Sequence, residues 1–298
     1  MKILVTGANG CVGRAMRSTC AKEADWIFAE RKDCDLTNRD QTISFLKGSG
    51  ADYVVHLASY VPGFYNVSRV DAIATNVRIN ENVLEATCLA GINRGMFCLS
   101  VTMFPDVPSK FPMDESMILE GGLSGALTGY SYAKRMLALQ CQNYNAQYDR
   151  KYFGIIPCNI YGPNDNLSAG RLVPNLILKF KDAMDRDLDV VLNGSGKPLR
   201  QFIYSLDLAK VIVSLAMNYR DTNPIICCGD EEVSIHDLAR KIGHVMGFKK
   251  GIVFDNGPDG VLLRTVSNAR LKSEIPGFRF TPLEEGLAET MSQMGVVK

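Results

Sequence analysis

The chain has 298 residues, 46% hydrophobic and 22% charged, with 33 basic side chains against 32 acidic ones. That is enough for one large or two modest domains with a sizeable core, while a net charge of +1 offers no footprint for nucleic acid or an anionic membrane surface. The 9 cysteines lack metal spacing, and no apolar run approaches a membrane span, so reduced thiols, no metal and a cytoplasmic location are expected.

Lys2–Thr6 reads as a short apolar strand. It runs into Gly7-Ala-Asn-Gly10-Cys11-Val12-Gly13 and then a helix from about Arg14. Strand, glycine turn and helix make a dinucleotide-binding opening. The glycines permit a tight turn and close approach to a pyrophosphate, and the helix N-terminus favours the anion. A second strand at 26–29 is followed by Glu30-Arg31-Lys32. An acid here suits a ribose 2′-hydroxyl, and cations suit a 2′-phosphate; two cations outweigh one carboxylate, so NADP(H) is expected. Asp35-Leu36 then reads as an adenine-edge contact.

Residues 54–59 read as a buried strand entering a small-residue turn, with His56 structural. A helix covers about 71–90, with Asn76 and Asn80 on one face. The strand at 96–100 places Ser100 at a carboxyl end, where doubly wound sheets hold their ligands. Tyr130 and Lys134 stand four apart among good helix formers, so they share a face. An ammonium close to a phenol lowers its pKa from about 10, which lets Tyr130 trade a proton with a substrate oxygen near neutral pH. Ser100 can hold the same oxygen if the fold brings it close. In outline this is a carbonyl-reduction site: an acid, its tuner and an orienting hydroxyl.

The Tyr130 helix runs to about 148, and a strand follows at 152–157. After Pro163 come a polar loop, a helix at 171–184 and a strand at 189–192 closed by Asn193-Gly. A strand at 200–204 enters a helix capped near Ser205. A buried strand at 225–228 carries Cys227-Cys228, and Ser234 caps a helix to 246. The tail from 251 is a strand, a loop and a last helix. The expected fold is α/β: a doubly wound parallel sheet over 1–165, to which about 197–217 returns, and a smaller C-terminal substrate domain over 166–298.

The set Gly7-x-x-Gly10-x-x-Gly13, His56-Leu-Ala58, Ser100, Tyr130-x-x-x-Lys134, Pro157-x-Asn159-x-Tyr161-Gly162 and Arg200-Gln-Phe-Ile-Tyr resembles the extended short-chain dehydrogenase/reductases. Within that superfamily Leu99-Ser-Val-Thr-Met-Phe-Pro-Asp106, Gly129-Tyr-Ser-Tyr-Ala-Lys-Arg-Met136 and Pro276-x-Phe278-x-Phe280-Thr-Pro282 are similar to the GDP-L-fucose synthases, the epimerase-reductases of GDP-4-keto-6-deoxymannose. The resemblance implies NADPH, a homodimer built on paired helices, and a GDP-linked keto-deoxy sugar as substrate. It implies Ser100, Tyr130 and Lys134, helped by Thr102, as catalytic groups. Gly7, Gly10, Cys11, Val12, Gly13, Leu57, Ala58, Asn76, Pro157 and Ile160 would join Arg31, Lys32, Asp35 and Leu36 at the cofactor. Asn159, Arg171, Leu172 and Arg200 would hold the sugar nucleotide.

Two positions depart from that family. Its epimerase Cys, two residues after the catalytic Ser, is Thr102 here, and its His partner is Arg171. A Thr hydroxyl is a far weaker base than a thiolate, and Arg does not release its proton at neutral pH. Cys98, on the same strand face as Ser100, is the fallback base. A third, milder departure is Asn193, where the family has Trp. Reduction at C4 without epimerisation is therefore expected. The rival readings are a full epimerase-reductase, another nucleotide-sugar epimerase or dehydratase, and a non-catalytic NADP sensor.

Overall fold

The structure, a computed structural model, describes residues 1–19, 22, 24–61, 69–163, 165–167 and 170–297. Strands β1 (Lys2–Thr6), β2 (Asp25–Ala29), β3 (Tyr53–His56), β4 (Arg94–Cys98), β5 (Lys151–Pro157) and β9 (Ile225–Cys227) form one parallel sheet in the order β2-β1-β3-β4-β5-β9. Strand β3 is buried at every position, as a strand covered on both faces must be. The chain leaves β1 toward β2 on one side, yet β3 lies on the other. The carboxyl ends of β1 and β3 therefore open a crevice at a topological switch point. The glycine turn after β1 and the Leu57–Ser59 turn after β3 line it.

Helices α1 (Cys11–Thr19), α2 (Arg39–Ser49), α3 (Arg69–Leu89) and α4 (Thr128–Tyr148) cover the sheet. The α1 reading beyond Thr19 includes Cys20 and Ala21, which lie outside the described residues. Helix α2 has no counterpart in the sequence reading, although its signals are local: Asn38 accepts from Gln41 N at 3.0 Å as the N-cap, and Gly50 closes it at φ 61°.

A second core is built from β6 (Asn159–Tyr161), α5 (Leu172–Asp185), β7 (Val190–Leu192), β8 (Leu199–Tyr204), β10 (Glu232–Ser234), α7 (Ile235–Met246), β11 (Ile252–Phe254) and α9 (Leu283–Gln293). Strand β8 sits between β10 and β6. Helix α6 (Ser205–Asn218) packs against α1, and with β9 it belongs to the first core. Strand β8 pairs in the smaller sheet, while its Ile203 packs into the first core ahead of α6. The expected cap at Ser205 is absent: Tyr204 holds the cap position and no side chain caps α6. Ser234 does cap α7, accepting from Asp237 N. Among the described residues no helix is long and apolar enough to cross a membrane.

His56 ties the sheet to α3 and α4. Its Nδ1 lies 2.8 Å from Thr6 Oγ1, its Nε2 lies 3.3 Å from Asn80 Oδ1, and Asn80 Nδ2 donates to Ala133 O at 3.5 Å. Asn80 Oδ1 can only accept, so Nε2 carries the proton and Nδ1 accepts from Thr6. A neutral ring satisfies every bond. Burial first, then the Lys134 charge, push the His56 pKa down to about 3, with the Asn80 bond opposing. The folded pKa lies below the unfolded value of about 6.5, so this stability is intact above that value and is lost as pH falls toward 3. The expected loss is about 1.4 kcal/mol per pH unit below about 6. Denaturation at pH 7 and pH 5 should show it, and His56→Gln should flatten that slope; an unchanged slope would remove His56 as its source.

Candidate active site

Strand β4 ends at Cys98, and Ser100 caps a short 3-10 turn over Val101–Met103. Thr102 N donates to Ser100 Oγ at 3.3 Å, and Thr102 Oγ1 lies 3.0 Å from it as a second donor. Ser100 then has its acceptor capacity filled and one proton left to give. The Ser100 and Ser59 side chains lie close enough to the Tyr130 phenol to favour its ionised form. Tyr130 and Lys134 share a face of α4, with Lys134 Nζ 5.6 Å from the Tyr130 ring centroid. Lys134 is buried and donates to Cys98 O at 2.7 Å.

The next residue holds the two halves of the site together. Arg135 is buried and donates to Met103 O at 2.6 Å, Gly121 O at 2.7 Å and Glu120 O at 2.7 Å. It fastens the turn bearing Ser100 and Thr102 to the helix bearing Tyr130.

One expectation is corrected here. The Tyr130 phenol is raised, not lowered: burial is the main cause and Cys98 the next, while the Ser100 and Ser59 bonds pull the other way. Lys134 loses basicity to burial and spends its short bond on the Cys98 carbonyl. Burial therefore favours the protonated phenol. Burial likewise raises the Cys98 thiol, with Lys134 only partly offsetting it. Cys98 is a poor fallback base.

A cavity of about 580 Å³ runs past these groups. Gly7, Gly10, Cys11, Val12, Gly13, Leu57, Ser100, Thr102, Tyr130, Lys134, Pro157, Asn159, Ile160, Arg171, Leu172 and Arg200 all line it. The glycine turn suits a dinucleotide. Gly7 has φ 73°, and a Cβ there would meet Ala58 N at 2.6 Å. A Cβ on Gly13 would meet Ala8 backbone at 2.6 Å. The turn is thus held tight against β3 with its backbone bare, as close approach to a pyrophosphate requires. Ala58 supports Gly7 from behind rather than lining the cavity.

The other expected cofactor residues lie off the cavity. Asn76 is fully buried and spends its amide on Ser59 Oγ, Tyr60 N, Tyr60 O and Ala72 O, so it holds the turn after β3. Beyond β2, Arg31, Lys32 and Asp35 are exposed and Leu36 is half-buried. Lys32 pairs with Glu30 at 3.2 Å and Arg17 with it at 2.7 Å. Bonds from Asn9, Lys32 and Arg17, in that order, hold the Glu30 carboxyl below its usual range. Asp35 accepts from Thr37 N and Oγ1 in a local turn.

Around Arg200 the sequence reading missed several residues. Arg264 donates to Asp106 at 3.1 Å, and its charge, after burial, lowers Arg200 to about 10. Two neighbouring guanidiniums with one carboxylate leave positive charge for an anion. Asp259 lines the cavity there, accepting from Ser195 N at 2.8 Å. Asn193 also lines it, its Oδ1 accepting from Lys179 Nζ at 2.8 Å. Arg171 meets the buried carboxylate of Asp165. Among the described residues no His, Cys, Asp and Glu cluster could hold a metal ion.

The switch-point crevice, the bare glycine turn and the Ser-Tyr-Lys group define a short-chain dehydrogenase/reductase of the extended type. The chain belongs to the NAD dependent epimerase/dehydratase family, whose sequence profile matches residues 3–229. Among its relatives is the GDP-L-fucose synthase of Dictyostelium discoideum, 40% identical over 97% of this chain and 93% of that protein. A GDP-L-fucose synthetase from Naegleria fowleri, solved bound to NADP, superposes with a TM-score of 0.90 at 34% identity, covering 98% of this chain and 93% of that one. A GDP-mannoheptose C4 reductase from Campylobacter jejuni, solved with NADP, gives a TM-score of 0.86 at 25% identity over 98% of this chain and 97% of that one.

Proposed function

We propose that this protein is an NADPH-dependent oxidoreductase that reduces the C4 ketone of a GDP-4-keto-6-deoxyhexose without inverting C3 and C5. One observation carries the reading. Ser100, Tyr130 and Lys134 are assembled, while Thr102 has its hydroxyl on Ser100 and Arg171 its guanidinium on Asp165. Neither group is free as a base.

A nicotinamide cofactor, when bound along the glycine turn, would supply the hydride. Tyr130 donates its phenolic proton to the ketone oxygen, and Ser100 donates a hydrogen bond to it, oriented by the two Thr102 donors. Lys134 places a positive charge beside the phenol that favours proton loss. Arg200 and Arg264 hold the pyrophosphate of GDP, and Asn159 serves the sugar. The relatives named GDP-L-fucose synthase favour a second reading, in which other residues retain epimerisation.

The deciding experiment follows NADPH consumption with GDP-4-keto-6-deoxymannose in D₂O and identifies the product by NMR. The expected product is reduced at C4 with protium kept at C3 and C5. Stoichiometric deuterium at both carbons, with L-fucose as the sugar, would select the second reading. NADPH should be preferred over NADH, and Arg31→Ala with Lys32→Ala should raise the KM for NADPH about tenfold or more. Equal use of both cofactors by the unaltered protein would make Glu30 the ribose ligand instead.

Tyr132, Met136 and Leu139 lie exposed on one face of α4, beside exposed Val70 and Ile73 of α3. This face supports a homodimer, and the reduced cysteines suit the cytoplasm.

A further inference from the structure

Arg171 was expected at the sugar nucleotide, but its surroundings lie nearer the cofactor. It stands at the N-cap of α5, in the second core, and reaches into the cavity with 31% of its side chain exposed. Its charge acts on two groups from the first core: the thiol of Cys11, the first residue of α1, and the phenol of Tyr130. In a doubly wound fold the pyrophosphate of a dinucleotide sits at the start of the first helix. The reacting end of the cofactor must reach Tyr130. A cation that lines the same cavity as Cys11 and Tyr130 and acts on both is placed for the phosphate joined to the nicotinamide riboside. Arg200 and Arg264 lie near one another and, under the proposed function, serve the other nucleotide.

Asp165 explains why the guanidinium stays there. Its side chain is almost wholly buried, and among the described residues no other group bonds either of its oxygens. A buried carboxylate demands a partner, so Arg171 is held by one edge. The planar guanidinium still has donors along its remaining edges for phosphate oxygens, which a Lys or His could not offer in the same geometry.

We infer that Arg171 is a cofactor-binding residue, positioned by Asp165, that holds the nicotinamide-side phosphate of the dinucleotide. The inference rests on the cofactor reading above and adds a cation from the second core to that site. It also gives Arg171 a task incompatible with acid-base work at C3 and C5.

The test is direct binding, without turnover, to the unaltered protein, Arg171→Gln, Arg171→Lys and Asp165→Asn. The probes are NADPH, adenosine 2′,5′-bisphosphate (which lacks the nicotinamide-side phosphate) and GDP. Arg171→Gln should weaken NADPH about 10- to 100-fold, the range of a charge-assisted pair. Adenosine 2′,5′-bisphosphate and GDP should stay within about twofold, which also reports an intact fold. Arg171→Lys should recover part of the loss, and Asp165→Asn should show a smaller loss of the same kind. If Arg171→Gln fails to fold, NADPH weakened by Arg171→Lys with GDP unchanged supports the inference, and unchanged NADPH overturns it. Unchanged NADPH affinity in Arg171→Gln, or weakened GDP instead, overturns the assignment and leaves the cofactor reading standing. No NADPH binding by the unaltered protein overturns both.

Discussion

Tyr130→Phe is expected to cut turnover about 10²–10⁴-fold, the span that general acid catalysis contributes, with NADPH affinity kept. The change deletes one oxygen. The ring stays beside Lys134, and Ser100 keeps both Thr102 bonds. What disappears is the proton delivered to the ketone oxygen. Burial holds that phenol above its ordinary value, and the working form is the protonated one. Ionisation of Tyr130 should therefore cause no fall in reduction rate between pH 7 and 9. Steady-state kinetics of Tyr130→Phe, with NADPH binding measured beside them, check the assignment. Activity within tenfold of the unaltered protein would take Tyr130 out of the mechanism.

Arg135→Leu should be the most destabilising single change near the site, at about 3–5 kcal/mol. Arg135 donates to three backbone carbonyls in two loops. Removing it leaves those acceptors without their donor. Turnover should fall too, because the turn bearing Ser100 loses its fastening to the Tyr130 helix. Arg135→Lys should restore only part of the stability, since one ammonium cannot span three carbonyls in a fixed fork. Chemical denaturation reads the first effect and kinetics the second. A loss below about 1 kcal/mol in Arg135→Leu would show that other contacts hold the two halves together.

The parts of this protein that were legible in its residues are those written by local rules. Gly7, Gly10 and Gly13 between a strand and a helix read as a phosphate turn because their spacing lies within seven residues. Tyr130 and Lys134 read as one face because helical geometry depends on spacing alone. The losses at Thr102 and Arg171 were visible because each is a single substitution within familiar wording. Helix α2 was equally local, with Asn38 and Gly50 at its ends, and was overlooked.

Tertiary structure decided the rest, because burial and long-range proximity are not properties of a segment. The Tyr130 phenol moves up rather than down since burial among the surrounding walls, invisible in Tyr130-x-x-x-Lys134, outweighs the Ser100, Ser59 and Arg171 contributions. Asn76 has the polarity of a ligand, yet its bonds to Tyr60 and Ala72 make it a support. Arg200 gains Arg264 as a neighbour only once the tail folds back against β8, where Gln201 bonds both ways with Val266 at 3.0 and 2.7 Å. The sequence by itself determined a dinucleotide fold, set Tyr130 and Lys134 on one helix face, and put Thr102 and Arg171 where the family it resembles has Cys and His. Only the packing of the second core on the first brought Arg171 into the cavity that Cys11 and Tyr130 line.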